Sequence, residues 1–307
     1  MNIVITCPRY FSEINKLENL LKEYQVSLES FSPTGQGFKS KEMKDCLQNA
    51  TIAIVGDDEI DDFVIDNCKK LSLIIKWGVG VDNINISKDT PKVLNSPGDI
   101  YIDVAEHAVY LIGSLLKNIP NIHDKILNHD EWYKPTGNRL MNKNIGFVGY
   151  GKIAQQTSKL LNSFRVEQFF YDPYVENTEN TIAQKKNINY LQQECDIIIV
   201  TTALSKETEN LIDKKFFDHL TKAPLVVNVS RGQVINERDL IDALNNNKIS
   251  GCALDVFETE PISSSNLLKN QKNVIFSTHN ASNTHEANES VNSQVTDMIL
   301  GWLNEQQ

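Results

Sequence analysis

The sequence predicts an α/β protein built from two domains. Short apolar runs alternate with amphipathic stretches from the first residue onward, a pattern typical of parallel strands with helices on both faces. The runs form two series, separated by the predicted turn Asn95-Ser96-Pro97-Gly98. With 307 residues, the chain is long enough for each series to bury a core of its own.

The first series predicts a small domain, and the second predicts a larger sheet. In the first, buried strands are expected at 2–6, 51–55 and 73–76, with helices at 11–23 and 41–47. In the second, strands are expected at 144–148, 167–171, 196–201, 225–229 and 252–256. Between the two series, the apolar stretch 104–116 predicts a helix that is either buried core or packed against a second subunit.

Composition and charge exclude several classes of protein. The formal net charge is −10 at pH 7, which is unsuited to a nucleic-acid partner. No apolar run approaches the roughly 18 to 20 residues of a membrane-spanning helix, and no secretory signal is expected. The five cysteines are scattered, so we expect packed thiols and no metal site. These features predict a cytoplasmic protein that acts on a small molecule.

A glycine-rich turn follows the predicted strand at 144–148. Gly149, Gly151 and Ala154 fit the pattern G-x-G-x-x-G/A, in which the backbone approaches a pyrophosphate at the start of a helix. The next strand ends at Asp172, 23 residues after Gly149 (172 minus 149), where an acid meets the adenosine ribose and repels a 2′-phosphate. The two residues after Asp172 supply no cation. The sequence therefore predicts a Rossmann-type site for NAD, and not for NADP.

Three later strands each lead into an ionisable residue, namely Arg231, Glu260 or His279. The carboxyl ends of parallel strands line the ligand crevice of an open sheet, so we expect these side chains at one edge. Taken singly, each residue also has a structural explanation. Arg231 could form a surface ion pair, Glu260 could simply precede a turn-forming proline, and His279 could be an ordinary loop histidine. The other histidines, His107 included, lack comparable settings and are interpreted as structural or solvated.

With these segments in this order, the sequence resembles the D-isomer-specific 2-hydroxyacid dehydrogenases over nearly the whole chain, in their phosphoglycerate dehydrogenase-like branch. The resemblance also rests on Trp77-Gly78-Val79-Gly80-Val81-Asp82-Asn83, on 95–106, and on Asp239-Leu240 with Ala243-Leu244. It implies a flavodoxin-like substrate domain, residues 1–98 with 285–307, and a Rossmann-type doubly wound NAD-binding domain, residues 99–284. An active-site cleft between the two domains and a homodimer are also implied.

The resemblance implies hydride transfer between NAD(H) and a pair of 2-keto acid and D-2-hydroxy acid. His279 would exchange the proton, because imidazole titrates near neutral pH, and Glu260 would hold its other ring nitrogen. Arg231 would bind the carboxylate and carbonyl oxygen of the substrate through its planar, positively charged guanidinium group. The implied substrate contacts are Val79, Gly80, Arg231 and His279. The implied cofactor contacts are Gly149, Tyr150, Gly151, Lys152, Ile153, Asp172, Thr202, Thr208, Val229 and Asp255.

Two segments depart from the family pattern. Thr201-Thr202-Ala203-Leu204-Ser205 stands where the family commonly has a His-x-Pro-Leu-Thr run, which puts the cofactor contacts of that loop in question. Asn280 is an unusual residue after the histidine, and it could add a polar contact to the substrate pocket.

The side chain of the substrate is left open. Five acids lie in one segment of the first domain, and they would repel a substrate phosphate if they face the cleft: Asp57, Asp58, Glu59, Asp61 and Asp62. A small or uncharged side chain would then be preferred over 3-phosphoglycerate. Alternatively, the acids start a helix at Glu59 and point to solvent.

Three alternative functions are weighed beside the main one. D-3-phosphoglycerate dehydrogenase activity is the nearest. An NAD(H)-sensing protein without catalysis is a second, against which the intact set of Arg231, Glu260 and His279 argues. An NAD protein acting on a non-acid substrate is a third, and the arginine with the Gly78-Val79-Gly80 loop argues against it.

Overall fold

The structure is a computed structural model that describes residues 1–178 and 181–306. Its strands, in chain order, are β1 Asn2–Ile5, β2 Ser27–Ser30, β3 Ile52–Val55, β4 Ile60–Asp61, β5 Leu73–Trp77, β6 Ile84–Asn85, β7 Lys92–Ser96, β8 Asn144–Val148, β9 Glu167–Tyr171, β10 Gln184–Lys185, β11 Ile197–Val200, β12 Leu225–Asn228, β13 Gly251–Leu254 and β14 Val274–Phe276. Its α-helices are α1 Ile14–Leu20, α2 Ser40–Leu47, α3 Asp62–Asn67, α4 Ile100–Lys117, α5 Ile119–His129, α6 Lys152–Asn162, α7 Ile188–Glu194, α8 Lys214–Asp218, α9 Glu237–Asn245 and α10 His285–Glu305.

The chain divides into two compact units. One consists of Met1–Ile100 with Asn283–Gln307, and the other of Tyr101–Ser282. The sequence predicts the same kind of division, with its boundaries after residues 98 and 284.

The first unit contains a five-stranded parallel sheet in the order β2-β1-β3-β5-β7. Counted along the chain, these strands run 2-1-3-4-5, which is the order of the flavodoxin-like domain that the family resemblance implies. The central strands β3 and β5 are buried along their whole length. Helix α10 belongs to this unit and buries Val291, Val295 and Ile299, spaced one turn apart along a single face.

The second unit contains a seven-stranded parallel sheet in the order β10-β9-β8-β11-β12-β13-β14. Counted along the chain, the order is 3-2-1-4-5-6-7, the doubly wound order of a Rossmann domain. The strand order reverses between β8 and β11. At such a switch point the loops after the two strands diverge and leave a crevice at the carboxyl edge of the sheet.

Several local predictions differ from the structure. The helix expected over 11–23 is a short α-helix between 3-10 turns at Pro8–Glu13 and Leu21–Glu23. The turn expected from Asn95 begins later, because Asn95 and Ser96 pair with β5 as the end of β7. The helix expected from Glu59 begins at Asp62, since the Asp61 carboxylate caps it by accepting the backbone N–H of Val64 at 3.1 Å.

The cysteines confirm the prediction of packed thiols. All five are free, and four of them are buried. Burial raises the pKa of Cys195 and of Cys252 to about 12, so neither thiol carries appreciable charge at neutral pH. Across the described residues, no helix combines the length and apolar character needed to cross a bilayer.

Candidate active site

His279 and Glu260 form a hydrogen-bonded pair in the second unit. The imidazole Nδ1 lies 2.8 Å from Oε2 of Glu260. The other carboxylate oxygen accepts the backbone N–H of Phe257 at 2.9 Å, which fixes its orientation. The side chains are 31% and 19% exposed, respectively, so the pair can be reached from solvent. Because Glu260 holds Nδ1, Nε2 is the nitrogen that can exchange a proton with a ligand.

The loop that carries His279 is fastened to Asp255. His279 has a left-handed backbone conformation with φ of 52°, which is unfavourable for a residue with a side chain. Its N–H donates to the Asp255 carbonyl oxygen at 2.7 Å. The buried Asp255 carboxylate accepts the backbone N–H groups of Asn280 at 3.0 Å and Ala281 at 3.1 Å. These three bonds tie the loop after β14 to the end of β13 and so position the imidazole.

Arg231 follows β12, in a loop that touches the segment leading to Glu260. A Cβ on the next residue, Gly232, would lie 1.8 Å from the carbonyl carbon of Phe257, so only glycine permits this approach. The buried Asn228 donates its side-chain N–H to the Arg231 carbonyl oxygen at 2.9 Å. Arg231 Nη1 donates to the Ser230 carbonyl oxygen at 2.9 Å.

The three predicted catalytic residues thus follow β12, β13 and β14, which are neighbouring strands. They lie at the carboxyl edge of the sheet, where a doubly wound fold binds its ligand. Sequence reasoning missed Asn228 and Gly232 as supports of Arg231. The available signal was a polar residue at the end of an otherwise apolar strand.

The glycine-rich turn between β8 and α6 fits a dinucleotide. Gly149 has φ of +87°, and a Cβ there would lie 2.7 Å from Cα of Thr202, so the turn and the segment after β11 meet only through glycine. A Cβ on Gly151 would meet no atom within 4 Å. The space in front of the α6 N-terminus is therefore open, as approach by a pyrophosphate requires.

Asp172 closes this turn from the end of β9. Its Oδ2 accepts the backbone N–H of Tyr150 at 2.8 Å, and its Oδ1 accepts that of Tyr174 at 2.8 Å. The carboxylate is half-buried and retains acceptor capacity for ribose hydroxyls. Lys152 is exposed and Ile153 is half-buried at the start of α6.

The remaining predicted cofactor residues divide into two kinds. Thr202, Val229 and Asp255 follow β11, β12 and β13 at the same edge as the glycine turn. The Thr208 hydroxyl instead forms hydrogen bonds within its own loop. It donates to the Ala203 carbonyl oxygen at 2.6 Å and accepts the N–H of Ser205 at 2.7 Å.

The Gly78-Val79-Gly80 loop, described within the first unit, presents unused backbone donors. Asn95 donates its side-chain N–H to the Val79 carbonyl oxygen at 2.8 Å, and Gly78 has φ of +104°. Within the described part of the chain, no group accepts the N–H of Val79 or Gly80. Two successive free amides of this kind suit a carboxylate.

The acidic segment 57–62 is bound into the first unit. Asp58 is buried and accepts hydrogen bonds from the Thr6 hydroxyl at 2.6 Å and the Phe38 N–H at 2.9 Å, and burial raises the pKa of its carboxyl group. Asp57 pairs with Lys76 at 3.3 Å. The other three acids also have partners, which are Lys39 for Glu59, the Val64 amide for Asp61 and the Ser87 amide for Asp62. The segment therefore offers less unpaired charge than its sequence suggests.

A family model described as "D-isomer specific 2-hydroxyacid dehydrogenase, NAD binding domain" matches residues 109–281. The chain belongs to this family. This confirms the resemblance drawn from the sequence, and with it the NAD-binding domain. The matched range contains every residue that we place at the carboxyl edge of the larger sheet.

The relatives of this chain are named for several different activities. The D-3-phosphoglycerate dehydrogenase of Archaeoglobus fulgidus is 32% identical over 256 residues, which cover 81% of this chain and 48% of that protein. The glyoxylate reductase of Thermofilum pendens is 35% identical over 247 residues, which cover 75% and 71%. The chain thus spans about half the length of the phosphoglycerate dehydrogenase that it matches.

The solved structures show the same fold. The D-lactate dehydrogenase from Aquifex aeolicus, complexed with NAD and lactic acid, superposes with a TM-score of 0.84. It is 21% identical, and the match covers 99% of this chain and 96% of that one. The α/β architecture predicted from the sequence is therefore confirmed.

Proposed function

We propose that the chain is an NAD-dependent D-2-hydroxyacid dehydrogenase, which reduces a 2-keto acid and oxidises the matching D-2-hydroxy acid. The observation that carries this proposal is the His279–Glu260 pair, 2.8 Å apart, whose loops follow β14 and β13, while the Arg231 loop follows the next strand of the sheet, β12. A proton donor beside a permanent cation is what reduction of a keto acid requires.

Each group has a defined task in the reaction. His279 gives a proton from Nε2 to the substrate oxygen during reduction and takes one back during oxidation. Glu260 keeps the imidazole in the orientation and tautomer that this needs. Arg231 binds the substrate carboxylate with its guanidinium group. The free amides of Val79 and Gly80 in the first unit are donors of the kind that suits a carboxylate. Residues 149–153, with Asp172, Thr202, Val229 and Asp255, would hold the NAD cofactor, whose chemistry would be the transfer of a hydride.

For the substrate, we propose a 2-keto acid with a small or uncharged side chain. The glyoxylate reductase relative, which matches this chain over 71% of its own length, supports this choice. The name of the phosphoglycerate dehydrogenase relative favours a phosphorylated acid as the second candidate. The acidic segment 57–62 disfavours that candidate only in part, because its acids have partners in the first unit.

The test is NADH oxidation by the purified chain against a panel that contains glyoxylate, pyruvate and phosphohydroxypyruvate, with His279→Ala as the control. We expect turnover of an unphosphorylated acid that disappears in the variant. Efficient turnover of phosphohydroxypyruvate would contradict the substrate proposal. Absence of any turnover despite tight NADH binding would favour the NAD(H)-sensing alternative.

We further propose a homodimer formed through α5 and the segment after it. Helix α5 has eleven residues and buries none of them. Large apolar side chains are exposed on α5, in the segment after it and on α4, namely Ile119, Ile126, Leu127, Trp132 and Tyr110. An isolated helix of this length is marginal without packing, so a second copy of the chain is the proposed cover. The five free thiols also fit a cytoplasmic location.

A further inference from the structure

His107 occupies the buried side of helix α4. Val104, Ala108 and Leu111 are buried, and helical spacing places His107 on the same side of the helix. Its Nε2 is buried and has no hydrogen-bond partner within residues 1–178 and 181–306. Buried polar atoms are nearly always paired, so apolar packing alone does not explain a histidine at this position.

The nearest charged group is the carboxylate that holds the catalytic loop. Nε2 of His107 lies 3.6 Å from Oδ1 of Asp255, and both residues belong to the second unit. That distance is too long for a hydrogen bond but is within the range of an ion pair. The same Oδ1 already accepts the backbone N–H of Asn280, the residue after His279.

We propose that His107 is a positioning residue for the reaction proposed above, and acts on His279 through Asp255. In the working enzyme its Nε2–H donates to Asp255 Oδ1, which requires a movement of about 0.7 Å from 3.6 Å to an ordinary hydrogen-bond length. The carboxylate is then fixed by groups on two sides, His107 from α4 and the amides of Asn280 and Ala281 from the catalytic loop.

The effect falls on the chemical step. Without His107, the Asp255 carboxylate can rotate away from the two amides that fasten the loop, and the His279 imidazole loses its place opposite Glu260. A small displacement of a proton donor slows turnover steeply. Binding of the substrate carboxylate by Arg231 does not depend on this contact, so kcat falls while KM is nearly unchanged.

The kinetic test compares His107→Leu with His107→Gln. The glutamine places an amide N–H where Nε2 stood, whereas the leucine fills similar space without a donor. With the best 2-keto acid of the panel, we expect kcat to fall about tenfold or more in His107→Leu and to stay within about threefold of wild type in His107→Gln. KM should change by less than about twofold in both. His219→Leu, an exposed histidine at the end of α8, is the matched control and should keep wild-type kcat.

A second readout is independent of any substrate. Hydrogen exchange at the amides of Asn280 and Ala281 should be faster in His107→Leu and restored in His107→Gln, because these amides donate to Asp255. If the chain turns over no keto acid, the proposed function fails. The exchange pattern would still show whether His107 donates a hydrogen bond to Asp255. His107→Met replaces the leucine variant if that protein does not fold.

Two results would overturn the proposal. Wild-type kcat and wild-type exchange in His107→Leu would show that Asp255 does not need the histidine. Equal losses in the leucine and glutamine variants would show that the shape of the imidazole matters, and that its N–H does not.

Discussion

Glu260 is the residue whose contribution can be isolated most cleanly. In Glu260→Gln the side chain keeps an oxygen for the Phe257 N–H but loses the negatively charged acceptor that fixes the tautomer and orientation of His279. We expect kcat/KM for keto-acid reduction to fall about tenfold to a hundredfold, with little change in melting temperature. Glu258→Gln, two residues away and exposed, should keep wild-type kinetics. Equal activity in both variants would remove Glu260 from the catalytic set.

The two glycines of the cofactor turn should behave differently. A methyl group on Gly151 meets no protein atom within 4 Å, so Gly151→Ala should fold normally and bind NADH about tenfold more weakly or worse. Gly149→Ala should lose about 1 to 3 kcal/mol of stability, because its φ is +87° and Thr202 lies 2.7 Å from the added carbon. Thermal melting and fluorescence titration with NADH distinguish the two. A Gly151→Ala protein with unchanged NADH affinity would contradict the proposed pyrophosphate site.

The proposed catalytic residues could be selected from the sequence because each is a local feature, an ionisable group just beyond a predicted strand. Their supports could not. Asp255 and Asn280 are 25 residues apart in the chain, and they meet only because β13 and β14 are neighbours. The approach of Gly232 to Phe257 likewise depends on the packing of two loops. Contacts between residues so far apart in the chain leave no periodic pattern in the sequence. The position of His107 beside Asp255 was missed for the same reason.

Among the elements, buried strands were predicted better than edge strands. β8 and β9 have the predicted bounds, since each is a mostly apolar run between turn residues. β2 was missed because it lies at the edge of its sheet, and only one of its four residues, Leu28, is apolar. β7 is only partly buried, and its last residues, Asn95 and Ser96, are typical of turns. Polar composition at a sheet edge therefore conceals a strand.

Helix α10 offers a direct check on element stability. Gly301 is exposed in this 21-residue helix, and a Cβ added there would meet no atom within 4 Å. Gly301→Ala should therefore raise the free energy of unfolding by about 0.5 to 1 kcal/mol, through helix propensity alone. The midpoint of urea denaturation measures it. A lower midpoint would mean that the glycine is required for packing.

For the whole molecule, the prediction concerns the proposed homodimer, which would form through the exposed apolar side chains of α5. Light scattering coupled to gel filtration should give twice the 34.7 kDa mass of the chain. Leu127→Asp, which places a charge on this surface, should shift the chain towards monomer. Phe164→Asp, an exposed phenylalanine after α6, is the matched control and should leave the mass unchanged. A wild-type chain that is monomeric at micromolar concentration would contradict the dimer.

The choice between D- and L-2-hydroxy acids as substrates of the oxidation tests the central claim most directly. Purified chain would be given NAD with each enantiomer of lactate and of glycerate in turn, and NADH formation would be followed for wild type and for His279→Gln. The account predicts NADH from at least one D-2-hydroxy acid, none from its L-enantiomer, and a loss of about a hundredfold or more in the variant. Turnover of the L-enantiomers, or undiminished activity without His279, would contradict it.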